Sequence, residues 1–207
     1  MLKSDIRGSS NRMSGFSLAE LMVTVLIASV LFAVSAPTFS GWIQSTRVRN
    51  TAGDIFAGIQ RAKAEAVQRN IQARFQLTTN LNANCALTTS GTAWVVSQID
   101  AATPTQDATG KCNLQIDSAA TTPRLLAVRA PDTSSVQVAA SQSSLVFNSL
   151  GKQVNPPAGD ITINVSYSGG TCADAGGKLT CLRIVVSPAG QARLCNPRFP
   201  AGDPQAC

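Results

Sequence analysis

Three kinds of residue in this 207-residue chain could do chemistry: a carboxylate stranded in an apolar run, six cysteines, and a scatter of arginines. Glu20 is the only charge between Phe16 and Ala36. An acid near the centre of a membrane-buried helix costs about 2.5–3.5 kcal/mol on insertion scales. It therefore either snorkels to a polar boundary from one end of the run or serves a function inside it. The cysteines, Cys85, Cys112, Cys172, Cys181, Cys195 and Cys207, all lie far beyond that run. An even number there points to an oxidising compartment and disulfides, with fifteen connectivities open. Local order suggests Cys85–Cys112, Cys172–Cys181 and Cys195–Cys207, each closing a short excursion. Zinc fits less well, since the chain has no C-x-x-C and no histidine.

Other chemistry is poorly supplied. Tyr167 is the lone tyrosine, and Asp100, Asp107, Asp117, Asp132, Asp160, Asp174 and Asp203 fall mostly in expected loops without acid–base spacing. There is no G-x-x-x-x-G-K-[ST], so energy for any assembly must come from a separate ATPase. Asp-Ala-Gly-Gly at 174–177 reads as a hairpin tip rather than a phosphate cradle. The chain is not read as an enzyme, and no cofactor or metal is expected.

The elements that must position these residues begin with the apolar run. At about 1.5 Å per residue, a helix from Phe16 to Ala36 is roughly 31 Å long, the thickness of a bilayer's hydrocarbon core. The preceding segment is short and basic (Lys3, Arg7 and Arg12 against Asp5), which places the N-terminus in the cytoplasm and the remainder outside. Cleavage after Val34-Ser35-Ala36 by signal peptidase is an alternative, disfavoured by Pro37 at the next position and by the length of the run. The whole chain carries +6; without its first 15 residues it keeps 14 basic and 10 acidic residues, a mild +4. That balance permits a polyanion partner without requiring one.

Past Pro37 the helical period resumes. Ala52, Ile55, Ile59, Ala62 and Ala66 recur at spacings of three and four, widened by Phe56 and Val67, and the pattern ends near Asn70. Gly53 and Gly58 weaken this stretch by up to roughly 1 kcal/mol each, so packing of the apolar stripe must hold it. The six basic against two acidic residues of 47–74 are either a solvated face or a surface complementary to acidic neighbours, or to lipid headgroups near Arg47 and Arg49. From Arg74 onward, short alternating runs between Gly, Asn, Pro and Thr clusters indicate strands. They fall near 74–77, 93–99, 124–129, 135–138, 145–148, 160–166, 182–187 and 191–195, with 101–122 as a loop tethered by Cys112.

The N-terminal pattern resembles that of bacterial type IV prepilins, whose leader is cut after a glycine. Gly15-Phe16-Ser17-Leu18-Ala19-Glu20-Leu21 matches their cleavage motif, with only Ala19 departing mildly, and Pro37 falls where the family helix usually kinks. Arg61-Ala62-Lys63-Ala64-Glu65-Ala66-Val67-Gln68-Arg69-Asn70 is similar to the helix end of GspH/FimT-type minor pilins and pseudopilins. Trp94-Val95-Val96, Phe147-Asn148-Ser149-Leu150-Gly151 and Arg183-Ile184-Val185-Val186-Ser187-Pro188-Ala189-Gly190 extend the likeness over most of the chain from residue 13. Gly151 and Gly190 serve turns on the residues' own account, and Trp94 is core or strand surface.

The resemblance implies an α+β type IV pilin fold, in which a long N-terminal helix, membrane-spanning in its first half, packs on an antiparallel β-sheet domain. It divides the chain into a leader (1–15), the transmembrane half of the helix (16–40), its amphipathic soluble half (41–72) and an exported β-domain (73–207). It implies cutting and N-methylation at Gly15 and Phe16 by a prepilin peptidase/N-methyltransferase, with Glu20 as an assembly contact to the amine of a neighbouring subunit. Partners would be the other minor pilins and major pilin (or pseudopilins), an inner-membrane assembly platform, and the lipid bilayer before assembly. The expected role is a minor pilin priming or capping a type IV pilus; the alternatives are an H-type pseudopilin of a type II secretion system and a DNA-uptake receptor. For the last, a C-terminal G-R-x-R motif is matched only by Gly190-Gln191-Ala192-Arg193, with Arg183 and Arg198 nearby as further DNA contacts.

Overall fold

The computed structural model describes residues 16–132 and 135–207, and of 34–38 the backbone alone. One helix, α1 (Leu18–Arg69), precedes eight strands: β1 (Ala73–Thr78), β2 (Ala93–Gln98), β3 (Leu125–Arg129), β4 (Val136–Ala140), β5 (Ser144–Phe147), β6 (Ile161–Tyr167), β7 (Leu182–Val186) and β8 (Ala192–Cys195). The chain divides into two compact units, residues 1–40 and 41–207.

In the first unit, large apolar side chains point to every side of the helix. Phe16, Leu18, Leu21, Met22, Val23, Val25, Leu26, Ile27, Val30, Leu31 and Phe32 are all 55–80% exposed. Among the described residues no helix is long and apolar enough to cross a membrane; the described side chains of this run stop at Ala33. The helix assignment passes through Pro37, whose side chain lies outside the described residues, so the expected kink does too.

In the second unit the eight strands form two antiparallel sheets, and the α+β fold is as expected. Sheet A has the order β3-β2-β1-β5 and sheet B the order β4-β6-β7-β8. The helical stripe shares one core with both: Val48, Ala52, Ile55, Ile59, Ala62 and Ala66 are buried with Phe75, Leu77, Trp94, Val96, Leu145 and Phe147 of sheet A. Ile161, Ile163, Val165, Ile184 and Val186 of sheet B complete the same core. At Gly58 the helix comes so near sheet A that a Cβ would stand 2.8 Å from ring atoms of both Phe75 and Trp94. The helix ends at Asn70, whose φ of +53° is the left-handed conformation that asparagine tolerates.

Three disulfides join Cys85 to Cys112, Cys172 to Cys181 and Cys195 to Cys207. The first joins the β1–β2 connection to the β2–β3 connection over the outer face of sheet A, where Cys85, Val95, Ala108, Cys112 and Leu125 make a second, smaller core. Arg74 reinforces that cover by donating to the carbonyls of Pro104 and Gln106, both at 2.8 Å. The half-buried position of its guanidinium lowers its pKa from the usual arginine value. The second disulfide closes the tip at 172–181, a short turn ending in left-handed Gly176.

Candidate assembly site

Ser17 opens α1. Its hydroxyl accepts the backbone N–H of Glu20 at 3.2 Å, and its carbonyl accepts that of Leu21 at 3.1 Å. Ser17-Leu18-Ala19-Glu20 is thus half of a capping box, a signal present in the sequence as S-x-x-E and passed over there. An acid in the first turn also complements the positive end of the helix dipole. Two further hydroxyls of the run are satisfied by their own helix: Thr24 donates to the Leu21 carbonyl and Ser29 to that of Leu26. The Glu20 carboxylate is different, having no ion-pair or hydrogen-bond partner among the described residues. It is the one charge among the described side chains of the run. Gly15, the expected cut position, lies outside the described residues.

Three of the sequence blocks that looked family-like, 61–70, 147–151 and 183–190, meet in one place. Lys63 of α1 donates to the Gly190 carbonyl at 2.9 Å. Gly190 (φ +79°) lies so close to the Gly151 carbonyl that no side chain fits between them. Gln153 Nε2 donates to the Ser187 carbonyl at 2.8 Å. The β5 turn, the β7–β8 turn and the helix are thereby locked together, so these blocks act as a structural junction.

Charge on the helix end is arranged as a ladder. Glu65, 3% exposed, is held by Arg61 and by Arg69, each at 2.6 Å. Arg69 also reaches Asp117 at 2.8 Å, and Arg124 pairs with the same carboxylate at 2.8 Å. The hydrogen bond from Arg69 holds the Asp117 carboxyl below the usual aspartate range, and the two carboxylates raise the pKa of Arg69. The pairing of Arg69 with Asp117 joins residues 48 positions apart, beyond what sequence spacing shows.

The arginines considered for DNA are separated by their contacts. Arg183 Nε donates to Asn164 Oδ1 at 2.6 Å. Arg193 donates to the carbonyls of Ala206 and Cys207, at 2.9 and 2.8 Å, and so clips the C-terminal segment beside the Cys195–Cys207 disulfide. Only Arg198 is without a side-chain partner among the described residues. Among those residues no group of histidines, cysteines or acids could hold a metal.

Comparison with known proteins follows the same lines. Residues 51–190 match the family described as Type II transport protein GspH, and residues 10–36 match the prokaryotic N-terminal methylation motif. No curated protein matches the chain. Among solved structures, the type IV minor pilin FimU of Pseudomonas aeruginosa is similar at 14% identity and a TM-score of 0.47, over 78% of this chain and 96% of that one. The minor pseudopilin EpsH from the Type 2 Secretion System of Vibrio cholerae is similar at 12% identity and a TM-score of 0.46, over 73% and 98%. A methylation motif leading into a helix that packs on antiparallel sheets defines a type IV pilin-like subunit. The chain belongs to the GspH family, as a minor pilin or pseudopilin of the GspH/FimT kind.

Proposed function

We propose that the chain is a minor pilin that a prepilin peptidase cuts between Gly15 and Phe16 and methylates on the new amine, before it enters a type IV pilus near the tip as a primer or cap. In this reading 1–15 is the leader, 16–40 the inner-membrane anchor, 41–72 the soluble half of the helix, and 73–207 the periplasmic domain. The observation that carries it is the first unit: apolar side chains exposed on all sides, with one unpartnered carboxylate among them. A helix that is hydrophobic all round needs lipid or other protein around it. A lone acid in such a setting gains from pairing with the cationic amine of a neighbouring subunit, since each charge offsets the other's desolvation.

The test uses two substitutions: Glu20→Gln keeps a polar side chain of the same length and removes its charge, whereas Glu20→Ala removes the polar group. The Ser17 cap, made to the backbone N–H of residue 20, survives in both. Fibre incorporation is measured in cells, alongside N-terminal sequencing of the mature protein. Loss with both variants supports the intersubunit charge pairing; loss with Ala alone means a neutral polar side chain suffices and overturns it. A mature chain that starts elsewhere than Phe16 overturns the reading entirely. The description of the matched family favours a second reading, an H-type pseudopilin of a type II secretion system. Requirement for secretion rather than for piliation distinguishes it.

A further inference from the structure

The basic residues between 47 and 74 divide into two groups that the sequence could not separate. Arg61 and Arg69 are spent on Glu65 and Asp117, Lys63 on the Gly190 carbonyl, and Arg74 on the carbonyls of Pro104 and Gln106. Arg47 and Arg49 are exposed and have no ion-pair partner among the described residues. They stand in the first turns of the second unit, and Trp42, 64% exposed, stands two turns before Arg49 on the same side of the helix. Exposed Trp followed by exposed Arg within 11 and 13 residues of the end of an apolar run is the order in which side chains meet a bilayer's interface from within.

The other charges here are accounted for. Asp54 is neutralised by Arg129 at 2.6 Å, and Asp132 accepts from the Thr51 hydroxyl at 2.7 Å. Both line a groove of about 840 Å³ that Arg47 also borders. The Cys172–Cys181 tip lies beside this end of the helix, since the Thr180 N–H donates to Ser45 Oγ at 3.4 Å. Its exposed Asp174 and Lys178 cancel. Arg47 and Arg49 are therefore the cations left to act outside the molecule at this end, with Asp132 a partial counterweight deeper in the groove.

We infer that Trp42, Arg47 and Arg49 form a collar that docks the base of the exported unit on the phosphates of anionic lipid headgroups while the subunit waits in the membrane. This rests on the anchored reading proposed above. The indole sits at headgroup level and the two guanidinium groups bind phosphate. The collar selects a membrane state of the subunit, and leaving it is part of the cost of entering a fibre.

The full chain is placed in nanodiscs of phosphatidylcholine, with or without phosphatidylglycerol, and quenching of Trp42 by brominated acyl chains is read as the difference from the Trp42→Phe protein. Quenching greater in the anionic discs, reduced by high salt and falling to the phosphatidylcholine level in Arg47→Gln/Arg49→Gln, is the expected result. Equal quenching in both discs, or a double variant that quenches like the native chain, overturns the collar. So does a double variant normal in lipid but defective in cross-linking to an acidic neighbouring subunit. Extraction of native membranes with alkaline carbonate separates the two failures. A chain that washes off refutes the anchor; one that stays while Trp42 ignores lipid charge refutes only the collar.

Discussion

Both sheets turn an apolar face to α1, but they treat the opposite face differently. On sheet B that face carries Gln137, Thr162, Asn164, Ser166, Arg183 and Arg193, exposed or half-buried side chains that meet water. Val185 and Cys195 are the buried positions there, close to the clipped C-terminal segment. On sheet A the opposite face is interior: Gln76 and Thr78 are wholly buried, and Val95 and Leu125 pack under the segment that Cys85–Cys112 fastens down. Strands of similar length can therefore bear very different loads: sheet A is buried on both faces, sheet B mainly on one.

The sharpest way to break that contrast is to truncate one side chain on each outer face. Leu125→Ala should cost roughly 2–5 kcal/mol, as for a core leucine. Thr162→Ala, at an equivalent outward position of sheet B, should cost less than about 0.5 kcal/mol. Chemical denaturation of the two variants checks this, and equal losses would mean that the cover over sheet A is not a packed layer. Next in size are the disulfides. Replacing Cys85 and Cys112 by Ala releases a separation of 27 residues, and replacing Cys172 and Cys181 releases one of 9. Chain entropy alone assigns about 3.5 kcal/mol to the first and about 2.6 kcal/mol to the second. The gap should widen beyond that if the sheet A cover also loses its small core. Thermal unfolding of both double variants measures it.

A third pair sharpens which sheet sets the helix's approach. Gly58→Ala pushes a methyl into the Phe75 and Trp94 rings, whose centroids are 5.9 Å apart, and should cost about 1–3 kcal/mol by overpacking. Gly53→Ala meets nothing within 4 Å and should stabilise the helix by up to about 1 kcal/mol. Opposite signs in the two melting shifts are the expected outcome. A neutral Gly58→Ala would show that the helix can move off sheet A freely.

What was legible in the chain follows the same division. Sheet B could be read directly, because Ile161, Ile163 and Val165 alternate with Thr162, Asn164 and Ser166, one wet face and one dry. All eight strands fall within two residues of their expected ends, and Asn70 marks the helix terminus. The covering of sheet A was not legible. Ala93-Trp94-Val95-Val96 is a continuous apolar run that says both faces are buried, but not by what. The cover itself, 101–122, lacks periodicity and is held by Arg74, Gln76 and Asp117, whose partners are distant in sequence. In the assembly site the charge of Glu20 stood out against its surroundings, while its capping by Ser17 needed only a three-residue spacing that was overlooked.

Acid should loosen sheet A's cover and leave sheet B alone, the smallest of these effects and the most local. Asp117 joins Arg69 of the helix to Arg124 at the foot of β3, and the Arg69 hydrogen bond depresses its pKa from the ordinary aspartate value of 3.8. The folded carboxyl thus releases its proton more readily than the unfolded one. The stability it adds is complete above the ordinary value and disappears as pH falls through the lower, folded value. Because Asp117 is 48% exposed, solvent and salt weaken the pair, so a local opening is expected and not global unfolding. Amide exchange in 101–122 should quicken below about pH 4 relative to that in β6 and β7, whose facing side chains include no acid. Asp117→Asn, a residue that tolerates the left-handed backbone at this position, should remove the pH dependence while keeping the turn. If exchange in the two sheets rises together with acid, the ladder is not what holds the cover, and the disulfide and Arg74 must bear it alone.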